Sequence, residues 1–309
     1  MNPFTRNRRE SVAAWGEAKL ITVIRRWLGD VSPRAPFGIG DDCAVLRPSR
    51  GRQLITVDPV IYGRHFDDRV PPRAVAEKLL KRNLSDIAAM GGRPVAAVLA
   101  LTLDARVNRR WLEKFYRGLA ASARRFRVTI AGGDIAQADG VLAASLTLLG
   151  EAAGPRVLTR TGARMGDWIF VTGMLGGSLH SGHHFRFTPR LAEGRWLARQ
   201  RAVRALMDVS DGLAKDLHAL TPRGAAPALD ASALPRRAGA DVRAALTDGE
   251  DYELVFALAR SADQAAFLRR WRRAFPRTPL TCIGRFAAKG KFPADALNLA
   301  DCRGYEHLR

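Results

Sequence analysis

AVAEKLLKRNLSDIAAMGGRPVAAVLALTL, residues 74–103, is the stretch on which the fold class turns. Its first part, 74–90, spaces Val75, Leu79, Leu80, Leu84 and Ile87 as a helix does, and Gly91-Gly92 stop it. The run VAAVLALTL (95–103) that follows is apolar throughout, as a strand buried on both faces would be. A helix delivering the chain into a buried strand is one unit of an α/β pattern. Upstream, 9–29 carries Val12, Trp15, Leu20, Val23, Ile24, Trp27 and Leu28 at helical spacing and reads as one helix ending near Gly29. A Gly/Pro-rich loop (32–41) then leads to CAVL (43–46) and QLITVD (53–58), both read as strands. Downstream come a helix over 108–126 and strands at RVTIAG (127–132) and GVLAASLTLLGE (140–151).

The pattern breaks at AAGPRV (152–157), which suggests two domains, 1–152 and 153–309. The second half restarts with the strand DWIFVTG (167–173) and a loop from Gly176-Gly177 to about Pro189. A helix over 190–200, the strand ALMDVS (205–210) and the helix DGLAKDLHAL (211–220) follow. PALDAS (227–232), YELVFAL (252–258) and TCIGRF (281–286) read as strands, and 262–274 as a helix. The expected class is therefore α/β or α+β.

At 309 residues with 47% hydrophobic and 26% charged content, the chain can bury a sizeable core, which excludes a disordered or collagen-like protein. The nine residues of VAAVLALTL fall far short of the roughly 20 needed to span a bilayer, so no membrane association is expected. MNPFTRNRRE shows no apolar segment after its charges, so no signal peptide is expected. Cys43, Cys282 and Cys302 form no CxxC pair, a sparse and odd count that suits the reducing cytoplasm. Fifty Lys and Arg against thirty Asp and Glu give +20. Only seven of those cations are lysine, and they are scattered along the chain, which fits a compositional bias as well as a binding footprint. In either case polyphosphates are drawn to such a molecule from a distance.

Because acid is scarce, its placement is informative. Asp41 and Asp42 follow GIG in GIGDDCAVL (38–46), and Asp58 ends a strand in TVDPV (56–60). Asp86 lies on a helix in NLSDIAAMGG (83–92), Asp134 follows two glycines in AGGDIA (131–136), and Asp208 and Asp211 lie in MDVSDGL (207–213). Taken singly, each has a plain structural reading. Asp211 can cap the following helix, Asp86 can form a surface ion pair with Arg82 one turn away, and Gly132-Gly133-Asp134 can be a turn. As an ordered set, carboxylates gathered from several strand ends repel one another unless a cation lies among them. Hard oxygen ligands favour Mg²⁺ bridging to phosphates. The sequence contains no P-loop, GxGxxG, HExxH or GxSxG motif, and His180, His183 and His184, lacking an adjacent acid, read as a solvated loop.

The set resembles the thiamine-monophosphate kinase family, of the superfamily that includes aminoimidazole ribonucleotide synthetase and selenophosphate synthetase. The similar stretches are GIGDDCAVL, TVDPVIYGRHF (56–66), NLSDIAAMGG, AGGD, LTRTGARMGDWIFVTG (158–173), DVSDGL, DGEDYEL (248–254) and RGYEHL (303–308), in family order from about residue 16 onward. The resemblance implies a two-domain PurM-like fold. An N-terminal domain would bind ATP and Mg²⁺ and dimerise through its sheet, a C-terminal α/β domain would follow, and ATP would lie in the cleft between them. It implies in-line transfer of the γ-phosphate of ATP to thiamine monophosphate, giving thiamine diphosphate, in a cytoplasmic homodimer. By the same resemblance Asp42, Thr56, Asp58, Asp86, Asp134, Asp208 and Asp211 would bind several Mg²⁺ ions. Tyr116, Gly133, Asp134, Arg160 and Ser210 would contact ATP; His65, Glu250 and Tyr305 would contact the acceptor. No residue is expected to act as a general acid or base, since the acceptor is already an anion.

The chain departs from the family pattern at Val57, where a hydroxyl residue is usual, and at Gly176-Gly177-Ser178, HHFRFTPR (183–190) and Asp248-Gly249-Glu250-Asp251. The metal side is largely kept and the acceptor side altered, so a second reading is a related ATP-dependent enzyme with a different small phosphorylated acceptor. A third, a nucleic-acid-binding protein, draws on the net charge and on Arg269, Arg270, Arg272 and Arg273. Against it, no RNA- or DNA-reading motif is present and aromatics are only 7%, so no nucleic-acid partner is expected.

Overall fold

The computed structural model describes residues 1–40, 43–46, 48, 51–154, 156–290, 297, 299, 302, 304 and 305. The chain forms two compact units, Met1–Ile87 with Arg93–Glu151, and Ala88–Gly92 with Ala152–Arg309.

The first unit runs α1 (Glu17–Leu28), β1 (Gln53–Ile61), α2 (Pro72–Ala89), β2 (Gly92–Leu103), α3 (Arg109–Phe126), β3 (Thr129–Gln137) and β4 (Leu142–Ala152). The four strands form one sheet in the order β1-β4-β2-β3. β1 pairs antiparallel with β4, and β2 parallel with β3. Along β4 buried and half-buried residues alternate, as they do where a sheet packs one face on a core. Asn108 caps α3, accepting from Arg110 N (2.8 Å) and Trp111 N (3.3 Å). α3 buries Trp111, Leu112, Phe115, Tyr116 and Leu119, and α1 meets it through Trp27 against Tyr116 (ring centroids 6.0 Å apart). The other side of β1 presents Ile55 (71% exposed) and Val57 (59%) to solvent.

The second unit continues with β5 (Trp168–Thr172), α4 (Ser178–Ser181), α5 (His183–Arg186), α6 (Leu191–Ala198), β6 (Val203–Val209), α7 (Leu213–Leu220), β7 (Ala225–Leu229), α8 (Val242–Thr247), β8 (Glu253–Leu258), α9 (Gln264–Ala274) and β9 (Leu280–Ala288). Its five-stranded sheet, β6-β8-β5-β9-β7, is antiparallel throughout. One face packs Ile169, Met207, Val255 and Ile283 against Leu213 and Leu217 of α7 and Leu246 of α8. The other stacks Phe170 on Phe256 (5.5 Å) beneath Phe267 of α9, with Trp196 of α6 on Phe267. With helices on both faces, β8 is buried along its whole length and, after Glu253, reads as an apolar run from Leu254 to Leu258. Among the described residues no helix is long and apolar enough to cross a membrane.

Several local expectations are corrected. Residues 9–29 are not one helix. Gly16 at φ +69° interrupts the chain, and α1 starts after it, preceded by two short 3-10 turns. Residues 43–46 (CAVL) lie outside any strand. β3 does not stop at Gly132 but runs on through Gly133 and Asp134 beside β2, so Gly132-Gly133-Asp134 is strand and not turn. The segment after Gly177 folds into α4 and α5. Gly212, not Asp211, stands at the N-cap of α7.

Candidate active site

In the first unit the site grows from β1 and α2. Thr56 and Asp58 are two apart on a strand and so share one face, while the side chain of Val57 turns to the opposite, exposed face. Arg82 and Asp86 are four apart on α2 and so share one side of the helix. The two pairs meet. Thr56 Oγ1 donates to Asp86 Oδ2, and Arg82 Nη2 donates to Asp58 Oδ1 (3.2 Å). Arg82 Nη1 also donates to the Pro59 carbonyl (2.7 Å). Arg82 is buried, not a surface residue, and it pairs with Asp58 (3.2 Å). His65 lies just beyond: its Nδ1 accepts from Ile61 N (3.1 Å), and the buried Lys78 Nζ donates to its carbonyl (3.0 Å). Burial lowers the Lys81 ammonium to about 8. Two carboxylates and a hydroxyl form an oxygen-only donor set, whose chemistry fits a hard divalent cation. Asp42 lies outside the described residues, and among those described no group of three or more His, Cys, Asp or Glu converges as a ready metal cage.

In the same unit, toward β2 and β3, a cavity of about 480 Å³ is lined by Tyr116, Gly133 and Asp134, three of the residues expected to contact ATP, with Glu17, Ile24 and Leu28 of α1. Gly133 is required where it lies, since a Cβ there would come 2.2 Å from the Leu99 carbonyl oxygen of β2. The Tyr116 hydroxyl is buried, which raises its pKa above the usual phenol value. Asp134 is exposed.

In the second unit, β6 ends in the buried Asp208, and the chain turns through Ser210 and Asp211 into α7. The Asp216 carboxylate, one turn into α7, accepts from both Ser210 N (3.0 Å) and Asp211 N (3.1 Å). Burial pushes that carboxyl up to about 7, against the two N–H donors and the charge of Arg160, which lower it. Asp211 pairs with Lys215 (2.9 Å), and its carbonyl accepts from Tyr305 N (2.9 Å). Glu250 N donates to the Ser210 carbonyl (2.7 Å), so Ser210, Asp211, Glu250 and Tyr305 gather around one turn. Arg160 is exposed. Glu250 (φ +65°) and Tyr252 (φ +53°) hold a backbone conformation that is unfavourable for residues other than glycine. Between them Asp251, fully buried, supplies the restraint. It accepts from Gly176 N (3.0 Å), from Ser178 Oγ and from Arg237 Nη1 (2.9 Å). His184 is no solvated-loop residue: it is buried, with Nδ1 3.2 Å from Glu250 Oε2.

Sequence reasoning passed over Glu17, Asp216 and the Asp251–Arg237 pair, and read Arg82 and His184 as surface residues. Of these only Asp251 carried a signal, its place in DGEDYEL; the others owe their position to contacts between elements far apart in the chain.

Residues 40–152 match the family model for AIR synthase related protein, N-terminal domain. The chain is 35% identical over 308 residues to the thiamine-monophosphate kinase of Salmonella typhimurium, an alignment that spans 88% of this chain and 91% of that one. The crystal structure of thiamine-monophosphate kinase from Stenotrophomonas maltophilia superposes with a TM-score of 0.73 at 33% identity, covering 88% of this chain and 94% of the other. The structure of AaThiL complexed with AMPPCP and TMP superposes with a TM-score of 0.70 at 28% identity, covering 96% and 98%.

Proposed function

The chain belongs to the thiamine-monophosphate kinase family, and from that premise we infer that it transfers the γ-phosphate of ATP to thiamine monophosphate, giving thiamine diphosphate. The observation that carries this reading is the corner where Thr56 meets Asp86 and Asp58 meets Arg82, an oxygen-rich cation site in the same unit as the cavity of Tyr116 and Gly133. The obstacle to the reaction is the approach of two polyanions, since the acceptor is itself a phosphate monoester. Proton abstraction is not needed; neutralisation and alignment are. Magnesium ions held by Asp42, Thr56, Asp58, Asp86, Asp134, Asp208 and Asp211 would supply that neutralisation when bound. Tyr116, Gly133 and Asp134 receive the nucleotide, the strand-bound glycine letting it approach the backbone, and Arg160 and Ser210 contact its phosphates. His65, Glu250 and Tyr305 hold the acceptor: the Glu250 carboxylate offsets the charge of a cationic ring, and the exposed Tyr305 offers a face for it to stack on.

In this reading 1–152 serves ATP, Mg²⁺ and dimerisation and 153–309 is the α/β partner. The exposed apolar face of Ile55 and Val57 supports a homodimer formed through the first sheet, and the sparse cysteines support a cytoplasmic location. The test is ADP release from Mg-ATP with and without thiamine monophosphate. Stimulation by that acceptor is expected; equal release with and without it rejects the reading. Stimulation by another small phosphate monoester in its place would point to the related activity that the altered 176–190 segment suggests.

A further inference from the structure

Helix α2 carries three buried cations, Lys78, Lys81 and Arg82, and the last of them pairs with Asp58 of the carboxylate corner. Its guanidinium is held from two sides, by Asp58 Oδ1 at 3.2 Å and by the Pro59 carbonyl at 2.7 Å, so it is fixed in place and not a surface side chain swinging through solvent. The corner is thus satisfied from within: Thr56 donates its hydroxyl proton to Asp86, and Arg82 lends its charge to Asp58. A divalent cation entering the corner must share Asp58 with that guanidinium, against a like charge in a half-buried setting where screening is weak.

We propose that Arg82 is a built-in cation that competes with the divalent metal for Asp58 and so sets how tightly this corner holds it. Arg82 is a positioning and tuning residue: it touches Asp58, not the substrate. The inference rests on the reading of Asp58 as a metal ligand, and its test separates the two. The full-length protein, free of nucleotide, is titrated with Mn²⁺ as the probe, and bound and unbound Mn²⁺ are read by electron paramagnetic resonance. Arg82→Met, which fills the same space without charge, is expected to bind Mn²⁺ roughly tenfold tighter than the parent. Arg82→Gln, which can still donate to the Pro59 carbonyl, carries the same expectation should Arg82→Met fail to fold. Arg82→Lys, which keeps the charge, should stay within about twofold of the parent. Asp58→Asn should weaken binding. If both neutral variants bind Mn²⁺ no tighter than the parent while Asp58→Asn weakens it, the competition is refuted and the metal reading stands. If Asp58→Asn leaves binding unchanged, Asp58 is no ligand and the competition is refuted along with it.

Discussion

Asp58 serves two partners. In the structure it receives Arg82, and in the proposed reaction it receives a metal. Asp58→Asn removes the charge and keeps the shape, so kcat is expected to fall at least a hundredfold while the protein, destabilised by the loss of the counter-charge to Arg82, remains folded. Steady-state kinetics beside a thermal melt check this, and activity within a few-fold of the parent would end the metal assignment. Glu250 gives a contrasting case. If its carboxylate balances a cationic acceptor, Glu250→Gln should raise the KM for thiamine monophosphate roughly tenfold and leave the KM for ATP nearly unchanged. A change confined to the ATP constant would move Glu250 out of the acceptor site. Both residues were singled out in the sequence, Asp58 by its place at a strand's end and Glu250 by the resemblance of DGEDYEL. Their partners, Arg82 and His184, were not: one read as the mate of Asp86 and the other as a solvated loop, since contacts across elements leave no mark at fixed sequence spacing.

At the scale of the element, β3 and α2 do the work. β3 carries Gly133 and Asp134 past the point where two glycines suggested a turn, because its parallel partner β2 supplies the ladder that holds it extended. The glycine serves close packing here: Gly133→Ala would press a methyl group against the Leu99 carbonyl and is expected to cost about 1–3 kcal/mol. The midpoint of urea unfolding measures it, and an unchanged midpoint would mean that β2 gives way at no cost. In α2, Lys81 is held charged in a buried setting. Its folded pKa, about 8, lies below the usual 10.5. Between those values the unfolded chain binds the proton and the folded one does not, so folded stability rises with pH from about 8 to 10. Below pH 8 the burial penalty is fully present. Lys81→Met should therefore be more stable at pH 7, by up to about 3 kcal/mol, and should lack that rise. Denaturant midpoints measured from pH 7 to 10 decide it, and parallel curves for the two proteins would contradict the assignment.

Across the whole molecule the +20 charge acts at long range. Raising salt from 50 to 500 mM should weaken apparent binding of ATP several-fold while leaving adenosine almost untouched, because screening acts on the triphosphate and not on the base. Equal salt dependence for the two would remove the charge from any part in nucleotide capture. The alternation of helices and apolar strands, the break near 152–157 and the ordered acidic motifs are properties of neighbouring residues, and for that reason the α/β class, the family and the reaction it implies could be read from the sequence alone. Tertiary structure decided what depends on residues distant in the chain. It ran β3 through its glycines because β2 lies alongside, drew His184 onto Glu250, set Asp216 beneath the Ser210–Asp211 turn, and buried Arg82 against Asp58. Burial and strand pairing are settled only when the elements pack, and they choose a charged side chain's partner by proximity in space, which sequence spacing does not encode.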